Sequence, residues 1–325
     1  MILVVCGPTA SGKSKLALEI ALKYNGEIIN GDSLQIYQEF DIGTAKPTLK
    51  EREEVKHHLF DFVCPNSTYS VKEYQDQVRV IIDDIIKRGK LPIIVGGTGL
   101  YQKAALFDFA FEEHCDFDAS IFDNEDDDSL YSKLLKIDPE AASKIHPHNR
   151  KRVIRALAIY YSTGNKKSEQ EAKQEHRLIY DAKFVGIDLE RELLYSRIDL
   201  RVEQMLTLGL EKEVRYLYQK YGSSVQAFQA IGYKEWISYL KGEETFDVAI
   251  NKIKQNSRNY AKRQMTYFRH QLPVVWCPNY ESAYNYIEEI LKEKKWWKEL
   301  NLLQKKPVLA MNILNHMENI RLKLI

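Results

Sequence analysis

The chain has 325 residues, of which 44% are apolar and 11% aromatic, with 47 Lys and Arg against 46 Asp and Glu. Such a chain can bury one or two ordinary hydrophobic cores, which excludes a disordered tail protein and a small disulfide-stabilised domain. A net charge of +1 leaves no overall field that attracts polyanions, so any nucleic-acid-binding surface has to be local.

The cysteines and the apolar runs indicate the compartment. The four cysteines are scattered without a paired spacing, which is typical of a reducing compartment and gives no zinc-ligand pattern. The first residues lack the basic segment of a signal peptide, and no apolar run approaches the roughly 18 residues of a membrane span. We therefore expect a cytoplasmic protein that has no membrane attachment.

The first hundred residues alternate between short apolar runs and amphipathic helices. Residues 2–6 are continuously apolar, which predicts a strand covered on both faces, and a helix is predicted from about Lys13. Further strands are predicted at residues 27–30 and 91–95, and between them Ser70 and Glu73 form a capping box at a helix start. This alternation predicts the α/β class, a P-loop-type parallel sheet flanked by helices.

The composition changes after residue 111. Residues 112–128 contain nine acidic side chains in seventeen positions, which favours a linker or an exposed acidic loop. Residues 129–175 have helical periodicity without strands, and residues 183–187 are a strand that returns to the sheet. We predict a core made of residues 1–111 and 183–325, with long helices at 188–221 and 249–270. A small all-helical insertion domain spans residues 112–182.

A phosphate-binding loop stands between the first strand and the first helix. The pattern GxxxxGKS lets successive backbone N–H groups surround a phosphate, to which the helix N-terminus adds partial positive charge. Its lysine neutralises phosphate oxygens and its last hydroxyl ligates Mg²⁺, so the sequence predicts bound diphosphate or triphosphate together with Mg²⁺. The residues are Gly7, Pro8, Thr9, Ala10, Ser11, Gly12, Lys13 and the metal ligand Ser14.

The motifs that accompany such a loop in GTPases and motor ATPases are missing from the sequence, which argues against those two functions. The chain has no Asn-Lys-x-Asp motif of a GTPase, and the segment ending at Asp83 lies inside a predicted helix rather than a motor ATPase strand. Instead, Asp32 follows the second strand and the glycines of residues 96–101 follow the third, at the same edge of the sheet. Asp32 can coordinate Mg²⁺ through water or accept a proton from a nucleophile.

At these residues the chain resembles the tRNA dimethylallyltransferases, in motifs that run in order along most of the sequence. The matching segments are GPTASGKS (7–14), GDSLQIYQEFDIGTAKP (31–47), GGTGLY (96–101), HPHNRKRVIRAL (146–157), RELLYSRIDLRVEQMLTLGLEKEV (191–214), AIGYKE (230–235) and RNYAKRQMTYFR (258–269). The resemblance implies transfer of a dimethylallyl group from dimethylallyl diphosphate to the exocyclic amine of the adenosine just 3′ of the anticodon, with release of pyrophosphate.

The resemblance also implies roles for individual residues. Lys13 stabilises the leaving pyrophosphate with Mg²⁺, Asp32 takes the amine proton, and Thr98 lies beside the nucleotide as a further catalytic residue. The anticodon stem-loop has to open and extrude its base. The expected tRNA contacts are Asp32, Ser33, Leu34, Gln35 and Thr98, with Lys151, Arg152 and Arg155 of the insertion domain on the RNA backbone. We expect the protein to be a monomer.

A second basic stretch lies near the C-terminal third of the chain. Between Val248 and Tyr280 there is no acidic residue, whereas basic side chains are interleaved with tyrosines. Such a stripe is typical of phosphate contact combined with base stacking. We assign Arg258 and Lys262 to substrate binding, and whether these two and Arg263 face pyrophosphate or RNA stays open.

Two alternatives remain from the sequence. One is a small-molecule enzyme on the same scaffold, either a nucleotide-type kinase or a prenyltransferase that acts on free adenine nucleotides. The other is an RNA-binding protein that retains a P-loop without catalysis. A steep salt dependence of stem-loop binding discriminates against the first, and turnover that depends on Asp32 discriminates against the second.

Overall fold

The structure is a computed structural model that describes residues 1–109, 111, 117–172 and 174–304. Six strands form one sheet in the order β3-β2-β4-β1-β5-β6, and the paired strands run parallel. The strands are β1 (Ile2–Cys6), β2 (Gly26–Asn30), β3 (His57–His58), β4 (Leu91–Gly96), β5 (Ala182–Ile187) and β6 (Val274–Cys277). The predicted α/β parallel sheet is confirmed.

Thirteen α-helices are present in the described part of the chain. In the first half they are α1 (Lys13–Lys23), α2 (Leu49–Glu54), α3 (Val71–Lys87), α4 (Gly99–Leu106), α5 (Asp127–Ile137), α6 (Pro139–Lys144), α7 (Arg150–Thr163) and α8 (Lys167–Ala172). In the second half they are α9 (Arg191–Thr207), α10 (Leu210–Tyr221), α11 (Ile237–Leu240), α12 (Phe246–Gln271) and α13 (Tyr280–Gln304). Within the described residues, no helix combines the length and the apolar character that a bilayer span needs.

The centre of the sheet follows from its apolar strands. All five residues of β1 are buried, and its register with β4 pairs Leu3 with Ile93 and Val5 with Val95. Strands with both faces covered need no alternation of polar and apolar side chains, which is why continuous apolar runs identified β1 and β4. Parallel strands end at a common edge, so the loops that follow them are brought together.

The start of α3 agrees with its capping signal, whereas one position of this helix that the spacing predicts to be buried is exposed. Ser70 Oγ accepts the Glu73 N–H at 3.1 Å while Glu73 Oε2 accepts the Ser70 N–H at 2.7 Å, which confirms the capping box before α3. The helical spacing of Ile86 from the buried Ile82 predicts burial, but Ile86 is 42% exposed. It lies one turn beyond Ile82, where the helix approaches its end at Gly89.

Two further expectations need correction. The predicted helix over residues 188–221 is interrupted, because Gly209 has a φ of 100° and separates α9 from α10. The acidic stretch was expected to be a linker or an exposed acidic loop. Most of its described acidic side chains are exposed, but Phe122 is buried and Asp126 caps α5 by accepting the Ser129 N–H. Residues 112–116 of that stretch lie outside the described residues.

The chain divides into two compact units. One comprises Met1, Tyr69–Ile82 and Leu100–Ala182, and the other comprises Ile2–Thr68, Asp83–Gly99 and the chain from Lys183 onward. The first unit has its own core, in which Leu130, Leu134, Val153 and Leu157 pack together with Phe122. The predicted return to the sheet at residue 183 coincides with the division, whereas residues 69–82 and 100–111 group with the helices.

Candidate active site

The P-loop has the backbone that anion binding needs. Gly7, Ala10 and Gly12 have φ values of 136°, 63° and 94°, so the chain turns sharply between β1 and α1. Gly12 lies at the N-terminus of α1 in the left-handed conformation, and Lys13 begins the helix. The Ser11 hydroxyl is buried and bonds to no described residue. The arrangement therefore directs backbone amide groups and a helix N-terminus to one place.

Lys13 lies in this loop as a half-buried cation. Its ammonium group donates to the Pro8 carbonyl at 3.0 Å. Burial, together with the charge of the nearby Arg201, lowers its pKa to about 8, and the charge of Asp32 opposes the shift. A desolvated lysine beside a second cation is stabilised by an added anion, because the anion offsets both the burial and the repulsion.

Asp32 is held by a turn at the end of β2. Its Oδ1 accepts the Leu34 N–H at 3.0 Å, and its own N–H donates to Asn30 Oδ1 at 2.8 Å. The Asn30 amide is anchored in turn by the carbonyls of Asp32 and Leu59. This geometry fixes the carboxylate, and no described residue donates a hydrogen bond to its Oδ2.

A buried glutamine joins the P-loop to the loop after β4. Gln264 Oε1 accepts the Thr9 N–H at 3.1 Å, and its Nε2 donates to the Gly97 carbonyl at 2.9 Å. A Cβ at Gly97 would lie 2.1 Å from Gln264 Nε2, so any other residue there would displace this amide. Thr98 Oγ1 accepts the Ser33 N–H at 3.0 Å, which joins the same loop to the turn after β2.

One cavity of about 280 Å³ opens over these loops. Six of the predicted residues line it, namely Thr9, Lys13, Ser14, Asp32, Leu34 and Gln35. Thr98 and Ser33 lie directly behind them through their mutual hydrogen bonds. The structure thus brings the P-loop and the predicted base into one cavity, while the substrate roles assigned to these residues remain predictions.

The cavity also contains residues that the sequence did not single out. Arg201 of α9 lines it, and no described carboxylate forms an ion pair with its guanidinium. Burial lowers the pKa of Arg201, and the charge of Asp32 opposes that shift. Tyr260 also lines the cavity, and burial raises its pKa to about 12, so the phenol stays protonated. Arg201 lies in a motif of the resemblance, but periodicity gives no sign that it faces the P-loop.

Comparison with known proteins identifies the family. The model of a family described as IPP transferase matches residues 35–271, which is most of the chain. The chain belongs to the IPP transferase family. The predicted resemblance is thereby confirmed, since the tRNA dimethylallyltransferases found among its relatives carry the same name as the expected enzymes.

Relatives of this IPP transferase family member span nearly its full length. It is 48% identical over 277 residues to a tRNA dimethylallyltransferase of Anoxybacillus flavithermus, covering 85% of this chain and 89% of the relative. A solved tRNA isopentenylpyrophosphate transferase of Bacillus halodurans is 39% identical, with a TM-score of 0.69 over 92% of this chain and 99% of that one. A eukaryotic dimethylallyltransferase acting on tRNA is 33% identical, with a TM-score of 0.76 over 85% and 74% of the two chains.

The predicted basic stripe lies on α12, where most of its charge is paired. Arg258 forms an ion pair with Asp199 at 2.6 Å, and Arg269 forms one with Asp188 at 2.8 Å. Lys262 is exposed beside a smaller cavity that Pro8 also lines. Neither Arg258 nor Lys262 lines the cavity over the P-loop, and their assignment to substrate binding remains a prediction.

The other predicted RNA contacts lie on α7 in the helical unit. Lys151, Arg152 and Arg155 are exposed, and none of them pairs with a described carboxylate. Asn149 caps this helix by accepting the Arg152 N–H at 3.4 Å, while the neighbouring Arg150 pairs with Asp127. Three positions within two turns therefore present cations to solvent, and their contact with RNA remains a prediction.

Proposed function

We propose that this chain transfers a dimethylallyl group from dimethylallyl diphosphate to the exocyclic amine of the adenosine immediately 3′ of the anticodon in tRNA, releasing pyrophosphate. The observation that carries the proposal is the single cavity in which the P-loop, Lys13 and Arg201 lie with Asp32. It supplies cations for a diphosphate and a carboxylate for a proton. The names of the relatives, tRNA dimethylallyltransferases, agree with this chemistry.

The diphosphate end of the reaction requires stabilisation of a leaving group. As the bond between the allylic carbon and oxygen breaks, negative charge builds on the bridging oxygen and spreads over the pyrophosphate. The P-loop amides, Lys13 and Arg201 stabilise that charge, and removal of one such donor costs on the order of 3 kcal/mol of transition-state stabilisation. Both side chains are half-buried, which reduces the screening of their charges by water.

The acceptor end requires a base. The amine nitrogen uses its electron pair to form the new bond to the allylic carbon, and the electrons of the broken carbon–oxygen bond leave with pyrophosphate. The nitrogen then loses a proton, which Asp32 accepts on the oxygen that does not bond to Leu34. The Thr98 hydroxyl keeps this turn in place through the Ser33 N–H.

Mg²⁺ fits the oxygen donors of the cavity. The exposed Ser14 hydroxyl and the Asp32 carboxylate both line it, and hard oxygen donors suit this ion. The described residues contain no cluster of three His, Cys, Asp or Glu side chains, so water and diphosphate oxygens would complete the coordination. When bound, Mg²⁺ would neutralise diphosphate charge, and Ser14 would hold it.

The RNA is held by two sets of contacts. The extruded adenosine meets the turn that contains Ser33, Leu34 and Gln35, and extrusion costs a few kcal/mol that stacking and hydrogen bonds in the pocket offset. Lys151, Arg152 and Arg155 hold the backbone of the anticodon stem-loop. We further propose that the protein acts as a monomer in the cytoplasm.

Product analysis tests the proposal. The protein is incubated with dimethylallyl diphosphate, Mg²⁺ and unmodified tRNA, and the tRNA is digested and its nucleosides are analysed by mass. We expect one adenosine per tRNA to gain a dimethylallyl group. Modification of free adenosine monophosphate in preference to tRNA would instead support the small-molecule enzyme, and no modification of either would support an RNA-binding protein without catalysis.

A further inference from the structure

The loop between β2 and α2 is anchored by a carboxylate from a distant helix. Glu213 of α10 accepts the N–H groups of Asp41, Ile42 and Gly43 at 3.1, 2.7 and 3.1 Å. The buried Tyr233 hydroxyl donates to the same carboxylate at 2.7 Å. Successive backbone N–H groups that converge on one anion define a rigid conformation, because each would otherwise lose its hydrogen bond.

The anchored loop in turn fixes the side chain of Gln35. Gln35 Nε2 donates one hydrogen to the Thr44 carbonyl at 2.9 Å and the other to the Ala45 carbonyl at 3.0 Å. Two carbonyl oxygens at these distances would repel an amide oxygen, so the loop determines which way the amide faces. Both donors are then occupied, and Oε1 is left as an acceptor on a side chain that lines the cavity.

A hydrogen-bond acceptor in a fixed orientation distinguishes adenine from guanine and hypoxanthine. The six-position of adenine carries an amine that donates, whereas the six-position of guanine or hypoxanthine carries an oxygen that only accepts. Gln35 Oε1 can bond to the first and repels the second. If the amide were free to rotate, it would present a donor as readily as an acceptor, and the distinction would be lost.

We propose that Glu213 is a positioning residue that holds the 41–45 loop so that Gln35 presents an acceptor to the target base and selects adenine. The inference rests on the proposed function, which supplies the base. It adds a residue that touches neither substrate and acts through two hydrogen-bonded steps. Glu211 lies two positions before Glu213 on α10. It bonds instead to Arg215 and Tyr239 and therefore provides the matched control.

The test compares binding of anticodon stem-loops that carry adenosine or inosine at the target position. Wild-type protein should bind the adenosine form about tenfold more tightly, the amount that one hydrogen bond supplies. Glu213→Gln and Gln35→Met should each bring this ratio close to one, and the double variant should lower it no further. Glu211→Gln should keep the wild-type ratio, and KM for dimethylallyl diphosphate should stay unchanged in Glu213→Gln.

Retention of the wild-type ratio of adenosine to inosine affinity in Glu213→Gln would overturn the inference. An equal rise in KM for tRNA and for dimethylallyl diphosphate would also overturn it, because a general loss of structure would produce that result. If Glu213→Gln does not fold, Tyr233→Phe decides, because it removes one of the four bonds to Glu213 and should lower the ratio by a smaller amount. Failure of wild-type protein to modify any tRNA would refute the proposed function. Normal transfer with an unchanged ratio would refute only the role of Glu213.

Discussion

Helices α7 and α12 both carry several cations, but most of those on α12 are paired with described carboxylates, whereas three of the four on α7 are not. On α7, Lys151, Arg152 and Arg155 are exposed and pair with no described carboxylate. On α12, the ion pairs are Lys252 with Glu244, Lys254 with Glu203, Arg258 with Asp199 and Arg269 with Asp188. The two helices look alike as stretches of basic sequence, and they differ in what the fold places opposite them.

The difference shows why local charge in a sequence overstates an RNA-binding surface. Asp199 lies 59 positions before Arg258, and Glu203 lies 51 positions before Lys254. Both belong to α9, whose packing against α12 neutralises a segment that contains no acid of its own. A paired cation releases no counterion when RNA binds unless it first gives up its carboxylate. We therefore expect α7 to carry more of the RNA affinity than α12.

The largest expected effect is on α7. Replacement of Lys151, Arg152 and Arg155 with Gln should weaken stem-loop binding by about a hundredfold at low salt, since three phosphate contacts are lost. The slope of log affinity against log salt concentration should become shallower by about two, because each contact contributes roughly 0.7 to 0.9. Fluorescence anisotropy over a salt series measures both quantities. Unchanged thermal unfolding is the control, and an unchanged slope would place the RNA backbone elsewhere.

The next largest effect is the pH dependence that we expect from Lys13, a half-buried cation that pairs with no described carboxylate. Its pKa of about 8 means that the free protein loses this charge as the pH rises above 8. The value of kcat/KM for dimethylallyl diphosphate should therefore fall above pH 8, approaching tenfold per pH unit. Lys13→Arg keeps its charge throughout this range and should have a flatter profile, although its kcat is lower. Identical profiles in the two proteins would assign the titration to another group.

The smallest expected effect is on α12. Replacement of Lys252, Lys254 and Arg258 with Gln removes as many charges as the α7 variant, yet stem-loop affinity should change by less than about threefold, because these charges are already neutralised. Stability should fall by no more than about 1 kcal/mol per pair, as is usual for partly exposed ion pairs. Anisotropy and urea unfolding measure the two effects. A loss of affinity equal to that of the α7 variant would mean that RNA displaces the carboxylates.

Much of the fold could be predicted because its strands are strongly patterned. The continuous apolar runs of β1 and β4 and the capping box of α3 are local signals. Strands β3 and β6 were missed, because β3 has only two residues and β6 lies at the edge of the sheet with Val275 exposed. The break at Gly209 was missed, since a single glycine in a periodic stretch is tolerated in many helices.

The site was predictable only where a motif carries chemistry of its own. The P-loop and Asp32 follow strands, so their convergence could be inferred from the topology. Arg201, Gln264 and Glu213 act across contacts between distant segments, such as the 255 positions that separate Thr9 from Gln264. No spacing in the sequence reports a contact of that kind. Pairing of charges on α12 was missed for the same reason.

The most direct test of the account is Asp32→Asn, assayed for transfer and for stem-loop binding. The substitution keeps the shape and the Oδ1 acceptor of the turn but removes the base. We expect kcat to fall by about a hundredfold to ten thousandfold, with the Kd for the stem-loop within about threefold of wild type. Transfer at the wild-type rate by the Asn variant would contradict the central claim that the carboxylate beside the P-loop takes the amine proton.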